Sequence, residues 1–422
     1  MMDNQRLRIG FISTRLSGTD GVSLETNKWV NILQGLGHEC FCFCGESDWP
    51  EERVHMVPEA HMEHPEILKI NEMLFQYKKR SGDTDRVIHK LKKHIKAGLH
   101  RFVKRFNLDL LIVENAMSLP MNVPLGIALA EFIGETSMHT IAHHHDFWWE
   151  RTRYIKSPAD DYLRSAFPCT MSSVYHAVIN SIDARELAFR TGIGSLLIPN
   201  VMDFDSPPSL PDGYANDMRQ ELGIKNGTFI LLQPTRIVPR KKIERAIALA
   251  RRINTECVLV VTHKAGDEGI DYQMYLKEFA DLIGVNFLCA ADRFAYHRQT
   301  TSDGRKVYSI ADAYSQADLV TYPSATEGFG NAFLETIYYR RPIIMEAYEI
   351  FKCDIQPKGF KVIWFEDFIS RKIVEDVKNI LCNHELAIEW TERNYQLGRR
   401  YYSYQTLKKR LVTLLDHCIH NW

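Results

Sequence analysis

The sequence predicts an α/β fold of two Rossmann-like, parallel-sheet domains facing across a cleft. Three observations carry that expectation. Short apolar runs alternate with longer helical patterns, the rhythm of parallel strands joined by crossover helices. The alternation halts at the loop-like stretch 199–208, with prolines at both ends, and then restarts. A length of 422 residues leaves room for two or three domains of about 150 residues each.

In the first half, strands are expected at 8–14, 40–44, 108–113, 138–142, 177–180 and 196–198. A helix over 24–36 ends at Gly37. Residues 61–106 break the rhythm and read as two long inserted helices. In the second of these, Ile88, Leu91, Ile95, Leu99, Phe102 and Phe106 form an apolar stripe at helical spacing. Arg86, Lys90, Lys92, Lys93, Lys96, Arg101, Lys104 and Arg105 occupy the rest of that helix. The plainer reading is a solvated helix packed on its domain; the functional one is a basic surface for an anionic acceptor or a membrane. After the stretch 199–208, strands are expected at 229–233, 257–262, 285–289, 319–322 and 342–345. The tail, 387–417, is helical and rich in aromatic and basic residues. The expected domains are therefore 1–200, 201–386 and a C-terminal helical piece, 387–422, crossing back toward the first.

A hydrophobic content of 45% with 25% charged residues belongs to an ordinary soluble globular protein. The formal net charge of −1 argues against a nucleic-acid binder. No apolar run reaches the roughly 18 residues of a spanning helix, and residues 1–6 show no leader pattern, so a cytoplasmic location is expected. The nine cysteines show no paired framework. Cys40, Cys42 and Cys44 alternate along one strand and share a face, as buried reduced thiols would.

Four stretches carry candidate chemistry. In the first, Glu327 and Glu335 flank a Gly328-Phe329-Gly330 turn between a strand and a helix. Free N–H groups at the helix start, at a strand's carboxyl end, suit an anion such as a diphosphate. The second follows the first strand of the second domain: Arg236 and Lys241 bracket a short turn and can converge on one anion. The third is the early loop 17–23, where Gly18 and Gly21 precede a helix; it lacks a G-x-G-x-x-G fingerprint, so nicotinamide binding is not indicated. The fourth is the run His143-His144-His145-Asp146 followed by Trp148, Trp149 and Arg151. Neighbouring strand residues face opposite ways, so the three histidines cannot ligate one ion, and no metal site is expected. One histidine facing the cleft, with aromatic and basic neighbours for an acceptor, is the preferred reading.

Together these stretches resemble the retaining glycosyltransferases of family GT4, which have the GT-B fold. Glu327 through Glu335 resembles the family's E-x7-E motif, and Arg236 with Lys241 its diphosphate pair. His145-Asp146 resembles the strand-end His-Asp of the first domain. The stretch 198–203 is similar to the interdomain PNGVD, except that Val201 stands where glycine is usual and Met202 where valine is. Thr336 replaces the common alanine after the second glutamate.

The resemblance implies a role for each matched position. Glu327 would bond hydroxyls of a donor hexose, and Glu335 the ribose of its nucleotide. Phe329, Gly330 and Asn331 would bring backbone amides to sugar and phosphates. Arg236 and Lys241 would hold the diphosphate, Gly21 would lie under it, and His145 would position the hexose. No essential metal or other cofactor is implied; the NDP-sugar, of GDP-mannose or UDP-glucose type, is the donor substrate. The implied mechanism is front-face retention, in which a phosphate oxygen takes the acceptor's proton.

The acceptor side is expected at Asp146, Trp148, Arg151 and Arg153. Similarity of this region to the mannosylglucosylglycerate synthase group implies a small polar acceptor such as glucosylglycerate. A lipid-linked or polysaccharide acceptor at a membrane is the alternative within the same class. Epimerisation or hydrolysis of a nucleotide sugar is the alternative outside it.

Overall fold

The computed structural model describes residues 6–18, 20–209, 212–265 and 270–420. The N-terminal residues read above for a leader, apart from Arg6, and Thr19 of the early loop lie outside them. The chain divides into two compact units, Met1–Asn200 with Tyr404–Trp422, and Val201–Ser403.

The first unit contains β1 (Arg8–Ile12), α1 (Gly21–Gly35), β2 (Glu39–Cys44), β3 (Val54–Met56), α2 (Pro65–Asn71), α3 (Gly82–Phe106), β4 (Leu110–Glu114), α4 (Val123–Thr136), β5 (Thr140–His144), α5 (Asp160–Ala166), β6 (Val174–Val178), α6 (Ser181–Thr191) and β7 (Leu196–Leu197). Its strands form one sheet in the order β3-β2-β1-β4-β5-β6-β7. Every neighbouring pair is parallel. Such a sheet is covered on both faces, which is why β1, β2 and β4 are almost continuously buried. The strand order reverses between β1 and β4, the switch point at which open α/β sheets take ligands.

The insertion is less regular than its sequence suggests. Its first helix is only α2, followed by a wider π-type turn over Glu72–Gln76. Its second is the long α3, capped by Ser81, whose side chain accepts from Thr84 N, and closed by Asn107 in the left-handed conformation. The expected stripe of α3 is buried in the main core. Part of its basic face is neutralised: Lys92 and Lys96 both pair with Glu131 of α4, and Lys96 also with Glu135.

The second unit contains α7 (Met218–Glu221), β8 (Phe229–Gln233), α8 (Ile243–Ile253), β9 (Cys257–Val261), α9 (Ile270–Ile283), β10 (Asn286–Cys289), β11 (Phe294–Ala295), β12 (Gln299–Thr300), β13 (Lys306–Ser309), α10 (Ile310–Gln316), β14 (Leu319–Tyr322), α11 (Asn331–Tyr338), β15 (Ile343–Glu346), β16 (Ile363–Phe365), α12 (Arg371–Cys382) and α13 (His384–Tyr402). Six strands form a parallel sheet in the order β10-β9-β8-β14-β15-β16. A small sheet, β11-β13-β12, sits beside it in the chain and was not expected from the sequence. Neither were β3 and β16, each only three residues long.

The stretch 199–208 is not a free linker. Met202 N donates to Tyr402 O at 2.9 Å. Phe204 is buried beside Tyr338 and Tyr395, and its carbonyl accepts from the Tyr395 hydroxyl. Gly398 makes room for that ring, since a Cβ there would stand 2.6 Å from Phe204. Val201 is buried and has no positive φ, so the chain passes without the left-handed turn a glycine would permit. The expected C-terminal piece, 387–422, is split. Helix α13 belongs to the second unit, whereas the final helix, α14 (Tyr404–His420), belongs to the first and packs on α1.

Among the described residues no helix is long and apolar enough to cross a membrane. Phe102 on α3 is fully buried against Phe43 and Phe106. Replacing it with alanine should cost about 3–5 kcal/mol of stability. Urea unfolding of Phe102→Ala should show an early transition of the first unit, and an unchanged midpoint would contradict this packing.

Candidate functional site

The carboxyl edge of the second sheet collects the loops that follow β8, β9 and β14. After β8 the chain turns tightly at Pro239–Lys241, and Lys242 takes φ +50° to start α8. After β14 it runs through Glu327 into α11. The two loops are tied together, because Ala325 N donates to Arg240 O at 3.1 Å and Arg240 Nη1 donates to Thr326 O at 3.3 Å.

Lys241 and Glu327, expected to hold different parts of one ligand, are paired with each other. Both side chains are nearly buried, at 9% and 10% exposure. Arg240 reaches the other Glu327 oxygen at 3.4 Å. Burial pushes the Glu327 carboxyl up, but Lys241 and Arg240 outweigh it and leave the group below its ordinary range. The Lys241 ammonium is lowered by burial and by Arg240 and Arg236, with Glu327 opposing. Lys241 also lies 5.3 Å from the Tyr322 ring centroid. Arg236 is exposed, and no hydrogen bond or ion pair engages it among the described residues. His263, just past β9, is driven down to about 4 by burial and then by Arg236 and Lys241, so it is neutral near pH 7. Two cations therefore meet one carboxylate and a third, Arg236, acts on Lys241, a local surplus of positive charge suited to an anion. Arg240 is the member of this group that sequence reasoning passed over; it lay in the same basic run as Arg236 and Lys241.

The start of α11 is held open by glycine. Gly330 has φ +114°, and a Cβ there would stand 2.4 Å from the Tyr348 hydroxyl. That hydroxyl donates to Phe329 O at 2.7 Å. The Phe329 ring itself is buried against Tyr402, and Asn331 begins the helix. Glu335 is half-buried and accepts from the buried Tyr314 hydroxyl at 2.9 Å. Thr336, in place of alanine, is buried and satisfied by Ala332 O at 2.6 Å.

At the carboxyl edge of the first sheet, Gly21 opens α1, but the expected free N–H groups are not all free. The Asp20 side chain accepts from Val22 N at 3.1 Å and Ser23 N at 3.2 Å. A carboxylate already caps this helix, which disfavours a second anion on those two donors.

The three histidines separate as strand geometry requires. His144 faces one way and pairs with His176 at 2.9 Å. His143 and His145 face the other, and both meet Glu114 at the end of β4, at 2.8 and 3.1 Å. The donor atoms of these three residues lie within 4.8 Å of one another. Their nitrogen–oxygen distances are hydrogen-bond lengths. Glu114 was missed from the sequence, although a lone acid ending the apolar run Leu110–Val113 was its signal.

The acceptor candidates turn largely to internal contacts. Trp148 packs on the main core, and its indole N–H donates to Phe167 O at 2.7 Å. Asp146 and Arg151 pair with each other at 2.9 Å. Arg153 is exposed and lies over the Tyr154 ring.

No protein-family model matches the sequence. Two relatives do. Mannosylglucosylglycerate synthase of Thermotoga maritima is 32% identical, over 95% of this chain and 98% of its own. The chain belongs to the mannosylglucosylglycerate synthase family. The synthase of Petrotoga mobilis is 31% identical, over 85% of this chain and 86% of its own. Solved structures give the same fold at low identity. Sucrose-phosphate synthase of Thermosynechococcus elongatus superposes with a TM-score of 0.68 at 14% identity, over 99% of this chain and 100% of its own. The glycosyltransferase WaaG gives 0.61 at 15%, over 98% and 100%. Anabaena HepE in complex with UDP-glucose gives 0.64 at 14%, over 97% and 100%. The fold is GT-B, and family membership places the chain among the glycosyltransferases.

Gly330→Ala should destabilise the second unit by about 1–3 kcal/mol through its backbone conformation alone, with further loss from the Tyr348 contact. Differential scanning calorimetry reads this as a lowered midpoint, and an unchanged midpoint would mean that the turn is not confined as described.

Proposed function

We propose that this chain is a retaining, GT4-type glycosyltransferase that moves a hexose from an NDP-sugar to a hydroxyl of a small polar acceptor. The carrying observation is the surplus of positive charge at the carboxyl edge of the second sheet, where Arg240 and Lys241 both meet Glu327 and Arg236 lies near enough to act on Lys241. A nucleoside diphosphate supplies the negative charge this cluster lacks, and cations fixed there offset the charge that grows as the diphosphate leaves. Both relatives are named mannosylglucosylglycerate synthase, which supports a GDP-mannose-type donor and glucosylglycerate as acceptor.

In the proposed reaction Lys241 exchanges part of its contact with Glu327 for a phosphate oxygen. Glu327 then turns an oxygen to the hexose hydroxyls, and Glu335 takes the ribose. The bond from the anomeric carbon to the phosphate oxygen breaks, and the acceptor oxygen bonds to the same face. The acceptor's proton passes to the leaving phosphate. No protein nucleophile is needed. The cationic cluster takes the part a divalent ion would otherwise play, so no essential metal is assigned. The reaction is assigned to the cytoplasm, with no requirement for a membrane.

A screen of GDP-, UDP- and ADP-sugars, reading released NDP with and without glucosylglycerate, tests this assignment. Acceptor-dependent release that persists in EDTA is the expected result. Release independent of every acceptor would favour hydrolysis instead, and complete, zinc-reversible loss in EDTA would overturn the metal-free chemistry.

Lys241→Ala should lower kcat at least about tenfold, since a charged hydrogen bond is worth about 1.5–3 kcal/mol and about 1.4 kcal/mol is a factor of ten. Turnover near that of the unaltered enzyme would remove Lys241 from the diphosphate site.

A further inference from the structure

Glu114 is a buried carboxylate with an incomplete set of partners. One oxygen, Oε2, is shared by His143 Nδ1 and His145 Nε2; the other, Oε1, is buried without a hydrogen bond. No lysine or arginine pairs with it among the described residues. A buried carboxylate that has no permanent cation must find its counter-charge in a proton on a neighbour.

An ionised carboxylate only accepts, so both facing ring nitrogens carry hydrogen. The two imidazoles differ in what remains. His143 is sealed: its Nε2 is buried without a partner, and its ring stacks on Trp29 at 4.1 Å. His145 is pinned through its backbone, because Asn115 Oδ1 accepts from His145 N at 3.0 Å. Its Nδ1 has no partner among the described residues and is not among the sealed atoms, so it is the nitrogen left for an outside ligand. The charged and titratable groups near His145 among the described residues are Glu114, His143, His144, Asp146 and Glu25 of α1. Glu25 is already paired with Lys28, and Asp146 with Arg151.

We propose that Glu114 is a positioning residue that holds His145 as an imidazolium, leaving its Nδ1–H to donate to a hydroxyl or phosphate oxygen of the substrate. The identity of that oxygen rests on the glycosyl-transfer reading above; the charge state of His145 does not. Burial works against the His145 cation, but Glu114 outweighs it and the group sits above its usual range, while burial leaves His143 below. The Glu114 carboxyl, for its part, stands at about 2: burial raises it and the two histidines more than reverse that. A cation required for turnover gives activity below the His145 pKa that is lost as pH rises through it.

The test is an NMR titration of the enzyme carrying 13Cε1-labelled histidine, with His145 assigned by its loss in His145→Gln. His145 should titrate above 6.5 in the unaltered enzyme, and about one unit lower or more in Glu114→Gln, whose side chain has no charge to offer. Glu114→Asp, which keeps the charge, should retain most of the elevation. With the preferred donor, Glu114→Gln should move the basic limb of the kcat/KM profile to lower pH by the same interval and cost about tenfold or more at pH 7.5. A merely structural Glu114 would lower activity equally at every pH. An unaltered His145 titration in Glu114→Gln overturns the proposal. Should that variant fail to fold, a His145 titrating below 6.5 in the unaltered enzyme does so instead. Failure of every donor to react would overturn the glycosyl-transfer reading while leaving the titration result standing.

Discussion

The second unit is organised around the Lys241–Glu327 ion pair. A carboxylate at 10% exposure is costly unless a cation meets it, and here the cation comes from a different loop. That requirement draws the turn after β8 against the turn after β14. Arg240 completes the join, through its own carbonyl to Ala325 N and its guanidinium to Thr326 and Glu327. The pair leaves positive charge over, and so it is both a structural clasp and an incomplete ion cluster. In the proposed reaction a ligand phosphate completes the cluster by taking up one of these cations.

The first unit carries the opposite imbalance. Among the described residues Glu114 is buried with two imidazoles and no lysine or arginine, where Lys241 has Glu327 and two arginines nearby. Each sheet edge thus holds a buried carboxylate met by neighbouring side chains, histidines at one and Lys241 with Arg240 at the other. The physical logic is shared: a parallel sheet delivers strand ends to one edge, and a polar residue at such an end is fixed in place by the buried strand behind it.

Much of this was legible because parallel strands read as plain apolar runs. β1, β2, β4, β8, β9 and β14 all have that signature, and the E-x7-E turn lies directly after one of them. What escaped depended on which partner a polar side chain finds, near or far along the chain. Asp20 looks like any loop acid until it caps α1, and Arg240 like a solvated neighbour of Lys241 until Glu327 arrives from 87 residues away. The triple histidine was correctly divided by strand alternation, yet alternation also places His143 and His145 on one face, and that pairing needed Glu114 to acquire meaning. Trp148 reads in sequence as either a sugar platform or core, and the fold adds that its indole N–H donates to the Phe167 carbonyl.

The Tyr348 hydroxyl has a consequence beyond the space it denies to a side chain at position 330. A peptide unit is planar and trans, so its carbonyl and its N–H point in opposite directions. Because Tyr348 anchors the Phe329 carbonyl inward, the Gly330 N–H is aimed the other way before any ligand arrives. The amide is preorganised: binding an oxygen there requires no rotation of the backbone, and the entropy of fixing that peptide is met during folding rather than at each turnover.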